Sequence, residues 1–88
     1  MKILVTFEIK TPYIDWRVAY DNHKSARLSA GINDIYAGHD IDNTASIICM
    51  FEAPSVESFT AFMTSPEVAA EAQEAGHMLE TTRVIGLS

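Results

Sequence analysis

Trp16, Tyr20 and His23 follow one another at steps of four and three residues. On a helix that spacing sets an indole, a phenol and an imidazole on one face. Of the three, His23 has the side chain suited to moving protons near neutrality, as a general base, a hydrogen-bond partner or a shuttle. It is flanked one turn either way by Ala19, Tyr20, Ala26 and Arg27, so small neighbours leave room beside it. A second phenol, Tyr36, follows further along. Trp16, Tyr20, His23 and Tyr36 are therefore the candidates to line a pocket for a planar or apolar ligand, with His23 as candidate base and the tyrosines as orienting donors. Each has a plainer reading as well. Trp16 fits an ordinary core stripe, and for the tyrosines both readings stand. His23 is more simply explained as a core or interface histidine whose nitrogens meet a carbonyl or water.

The remaining reactive side chains promise less. His39 and His77 fall near element ends, where solvated turn residues are expected. His39-x-x-Asp42 lacks the repeated ligands of a closed zinc site, and no EF-hand spacing is present. Cys49 stands alone inside an apolar run with no adjacent cation, so a small core residue is expected. Arg27 and Arg83 could meet an anionic ligand, but surface ion pairs worth under about 1 kcal/mol are the ordinary expectation. No phosphate loop, HExxH or GxSxG occurs. Neither a cofactor nor a metal is expected.

Composition narrows the partners. The chain has 88 residues, nearly half of them hydrophobic, with twelve acidic side chains against six Lys and Arg and a net charge of −6. That charge argues against nucleic acid and against an anionic membrane surface. Lys2 and Glu8 break up the start, and no apolar run is long enough for a signal peptide or a membrane span. With one cysteine and no internal disulfide, a soluble protein of the reducing cytoplasm is expected. The length suits one domain over residues 1–88 with a thin core, which favours burial against a second copy.

The elements that must hold the candidates follow from periodicity. Ile3 to Ile9 alternates in steps of two, a strand closed by Pro12. Tyr13 to Ala30 changes to a helical period, with Trp16, Ala19, Tyr20, His23, Ala26 and Ala30 on one face and Gly31 as the stop. Ile32 to His39 reads as a weaker strand, Asp40 to Asn43 as a turn, and Thr44 to Ala53 as the strongest strand. Ser55 caps a helix bearing Val56, Phe59, Phe62 and Met63, broken at Ser65–Pro66, and a second short helix runs to Gly76. His77 to Leu87 is the last strand. This order is α+β, the ferredoxin-like βαββαβ pattern. It predicts a four-stranded antiparallel sheet in the order 4-1-3-2 with its helices on one face.

Over its full length that order resembles the dimeric α/β-barrel superfamily, in which two ferredoxin-like domains pair sheet against sheet. Locally, Phe-Glu-Ala-Pro-Ser-Val-Glu-Ser-Phe at 51–59, Ser65-Pro66-Glu67 and Ala75-Gly76 match the strand, helix, step and closing glycine such proteins often show. The superfamily includes antibiotic-biosynthesis monooxygenases, muconolactone isomerases and stress-responsive barrels, and the chain looks closest to small members without assigned function. The resemblance implies a fold and a homodimer. It transfers no catalytic residue, because the chemistry of the superfamily is scattered over a shared scaffold.

The third strand points independently to a dimer. Ala45, Ile47, Cys49 and Phe51 alternate with Ile48 and Met50, so both faces are apolar, and Leu4 adds to one face beside it. One helix layer covers one face only. Two functional readings result. One is a small dimer that binds an apolar or aromatic metabolite between helix and sheet, with cofactor-independent oxidation or isomerisation as its chemistry. The other is a non-enzymatic homodimeric interaction module with a filled core. Whether the chain is an enzyme is left open by the sequence. A cavity beside His23 separates the two readings.

Overall fold

Alternation in the first strand decides the layering. In a computed structural model that describes all 88 residues, β1 (Lys2–Ile9) turns Ile3, Val5, Phe7 and Ile9 into the interior. Leu4, Thr6 and Glu8 fall on the opposite face, as the pleat requires. β1 lies at the centre of the sheet, between β3 (Asn43–Glu52) and β4 (His77–Leu87), with β2 (Asn33–Asp40) on the outer side of β3. All neighbours are antiparallel, and the order β2-β3-β1-β4 is the expected 4-1-3-2. Cross-strand partners share a face, so Val5 meets Cys49 and Val84 inside, while Leu4 meets Met50 and Ile85 outside.

All helices cover the inner face. α1 (Tyr13–Asn22) buries Trp16, and α3 (Val56–Thr64) is pinned by Phe59, which is fully buried against Phe51 at a ring separation of 5.2 Å. Ser55 and Ser58 close a capping box at the start of α3, each accepting from the other's backbone N–H at 3.0 and 3.3 Å. Pro66 occupies the first position of α4 (Pro66–Glu74), where its missing N–H costs nothing, so the break at Ser65 falls where the sequence puts it. No helix is long and apolar enough to cross a membrane.

The helix expected over Tyr13–Ala30 is not continuous. It stops at His23 and resumes as α2 (Lys24–Ser29), with His23 the C-cap of one and the N-cap of the other. The cause is the Arg27 side chain. Its Nη1 donates to the Tyr20 carbonyl at 2.8 Å, and the His23 N–H reaches the same oxygen at 3.2 Å. A carbonyl held from two directions ends the regular ladder there. Gly31 follows with φ +81°, the left-handed stop that favours glycine.

Candidate functional site

Between the helix layer and the sheet lies a cavity of about 90 Å³. Its floor is Val5, Phe7, Cys49 and Phe51. Trp16, Ala19, Tyr20, His23, Ala26 and Arg27 form one wall, and Phe62, Met63, Val68, Glu71 and Ala72 the other. Ala75 and His77 complete the lining, which is hydrophobic at 13 of 17 residues. The alanines keep the helices from filling the space.

Trp16, Tyr20 and His23 are thus brought together. Tyr20 stacks on Trp16 at 5.0 Å and lies under the Arg27 guanidinium at 3.8 Å. Its hydroxyl is sealed from solvent close to the Asp34 carboxylate but with no hydrogen bond of regular geometry, the one buried side-chain atom in that state. Burial first, and then the Cys49 thiol nearby, push the phenol well above its ordinary range, so it stays neutral. His23 stands at the mouth, its side chain 39% exposed and its Nε2 3.1 Å from Glu71 Oε2 of α4. Outside that pair, Thr11, Asp15 and Glu74 border a polar hollow that shares Ala19, His23, Glu71 and Ala75 with the inner chamber.

Tyr36 is not part of this constellation. It is 54% exposed on the other face of the sheet, opposite Met50, with its ring over Gly38. A register shift between Asp34 and Tyr36 is responsible. Asp34 faces inward opposite Phe51, the extra residue Ile35 reverses the alternation, and Tyr36 comes out opposite Met50.

Two residues set aside as surface groups belong to the site instead. Arg27 is 6% exposed rather than a surface cation, and Asp34 accepts from its Nε and Nη2 at 2.9 Å each. His77, expected in a solvated turn, is 4% exposed. It stacks flat on Phe7 at 3.7 Å, and its Nε2 lies 2.7 Å from Thr82 Oγ1. Burial lowers its pKa to about 4, so near neutrality it is an uncharged imidazole. Cys49 is the buried core residue expected, its thiol pushed up to about 12 by the same desolvation. His39 packs edge-on against Tyr13 beside the β2–β3 turn. No three His, Cys, Asp or Glu side chains converge as a metal ion requires. The chamber therefore offers neutral hydrogen-bonding groups in an apolar shell, and its nearest charges are internally paired.

The same ferredoxin-like fold occurs in solved structures of proteins described as antibiotic biosynthesis monooxygenases. A candidate antibiotic biosynthesis monooxygenase from Bordetella bronchiseptica superposes with TM-score 0.75 at 10% identity, covering 96% of this chain and 90% of that one. A second such candidate, from Deinococcus radiodurans, gives 0.66 at 9%, covering 100% and 93%. SnoaB, a cofactor-independent oxygenase from Streptomyces nogalater, gives 0.64 at 10%, covering 99% and 91%. Residues 2–87 match the domain of unknown function DUF3764, and the chain belongs to that family. No curated protein matches the sequence.

Proposed function

We propose that this chain is a homodimeric small-molecule-binding protein whose ligand, a neutral apolar or aromatic metabolite, enters the cavity between helices and sheet. The observation that carries this reading is the unpartnered hydroxyl of Tyr20, a residue that lines a largely apolar chamber. A buried hydroxyl without a partner costs about 1–3 kcal/mol, a cost a ligand bearing one polar atom removes. At about 90 Å³ the chamber is smaller than the roughly 150 Å³ that holds a benzene ring, so loading widens it at the His23–Glu71 mouth. His23 acts there as hydrogen-bond partner or general base. The likeness to a cofactor-independent oxygenase supports oxidation without a cofactor as the chemistry the scaffold would carry. The dimer is supported by the uncovered sheet face of Leu4, Ile48, Met50 and Ile85, which no helix packs against. An unpaired, buried Cys49 supports residence in the cytoplasm.

Native mass spectrometry of the protein purified from its host tests the reading. The expected spectrum shows one apolar organic molecule retained per chain. A bare chain from the host, with no affinity for small aromatic probes afterwards, overturns it. That result would leave a filled-core interaction module, the rival that the small volume of the cavity favours.

A further inference from the structure

The fold spends unusual local structure on His77. Met78 pairs with Glu8 and Arg83 with Thr6, so Phe7 alone faces residues 79–82 of β4. This bulge is stitched internally, with Thr81 Oγ1 donating to the Met78 carbonyl at 2.6 Å and accepting from the Glu8 N–H at 2.8 Å. Its last residue, Thr82, lies against His77 Nε2 at 2.7 Å, and Phe7 stacks on the ring at 3.7 Å. Bulges re-aim side chains and gather beside binding sites. A leucine or phenylalanine would pack this spot without a polar ring to satisfy.

One ring nitrogen is spoken for. The other, Nδ1, has no protein partner, yet the Tyr20 hydroxyl is the one buried side-chain atom sealed without a bond. Nδ1 is therefore not sealed, and His77 is one of the residues that line the cavity. Two residues with an uncommitted neutral polar atom, His77 and Tyr20, thus line one largely apolar chamber. Arg27 is tied to Asp34 and to the Tyr20 carbonyl, and Glu71 to His23, so no free charge awaits an ionic ligand. We infer that His77 Nδ1 is the ligand-binding nitrogen of the chamber, hydrogen-bonding the hydroxyl or carbonyl oxygen of a neutral ring such as a phenol or quinone, with Thr82 setting the imidazole tautomer.

This inference rests on the cavity reading above, and the test separates the two. Wild-type chain labelled with ¹⁵N is titrated with phenol and with toluene, which has the same shape without the hydroxyl. Both probes bind, and the Nδ1 resonance of His77 moves with phenol but not with toluene. In His77→Phe the ratio of phenol to toluene affinity falls about fivefold, the worth of roughly one neutral hydrogen bond. If both probes bind, Nδ1 stays still and the ratio is unchanged, His77 is a core filler and the inference is overturned while the cavity reading stands. If neither probe binds wild type, both fall. Should His77→Phe fail to fold, the wild-type Nδ1 resonance decides alone.

Discussion

Arg27 and Asp34 meet edge to edge, with Nε and Nη2 of the guanidinium each 2.9 Å from a carboxylate oxygen. The side chains are 7% and 20% exposed, and the pair ties α2 to the start of β2 beside the cavity. Removing one partner from such a pair leaves a charge in poor solvent. Arg27→Ala is expected to cost about 3–5 kcal/mol in urea unfolding. Arg27→Lys recovers little of it, because a point charge cannot replace the planar fork. Arg27→Leu combined with Asp34→Leu recovers most of it. A loss below about 1 kcal/mol for Arg27→Ala would show the pair behaving as a surface contact.

Acid stability depends on His77. Its pKa is about 4 in the folded chain, below the 6.5 of an ordinary histidine, so between those values the unfolded chain binds the extra proton. Its contribution is therefore complete above about pH 6.5, falls away as pH drops toward 4, and is constant below that. The loss is on the order of 2 kcal/mol, allowing for screening from the cavity side. His77→Gln should flatten this part of the stability–pH curve, measured by denaturant midpoints from pH 7.5 to 4. An unchanged slope would mean that His77 does not set it.

Charge on the uncovered sheet face should separate the proposed dimer. Met50 pairs with Leu4 and Tyr36 on that face. Met50→Glu places two carboxylates in a buried apolar interface, and light scattering should fall from twice the 9.7 kDa chain mass to a single one. A wild-type mass near 10 kDa at micromolar concentration would remove the dimer itself.

Filling the chamber separates packing from binding. Ala72→Leu, on α4, projects extra methylenes toward the cavity it lines. It should hold or raise the melting temperature, by up to about 1 kcal/mol of added burial, and weaken small aromatic probes at least tenfold. If probe affinity is untouched, binding occurs somewhere else.

The fold was legible because β1 and β3 announce their inner faces by simple alternation and the helices by their caps and by Pro66. Trp16, Tyr20 and His23 were legible for the same reason, as three positions on one helical face. What could not be read were the two places where alternation is reversed. Counting back in twos from inward-facing Val84 would put Met78 inside and His77 outside, and the bulge at 79–82 inverts that. Counting forward from Asp34 would put Tyr36 inside, and the extra residue Ile35 inverts that too. No residue type in either stretch marks the slip. Arg27 was missed differently, since its burial depends on Asp34 arriving from another element, a meeting that spacing along the chain does not encode.

α4 closes one side of the chamber yet contains no fully buried residue, and the His23–Glu71 pair is one of its few polar ties to the opposite wall. Elements anchored so lightly detach before the rest of a protein unfolds. The amides of α4 should then exchange with deuterated solvent well ahead of those in β1 and β3, whose inward residues form the core. For the proposed ligand, the barrier to entry is then a local melting of nine residues, whose rate can be tuned without touching any of the side chains proposed to hold it.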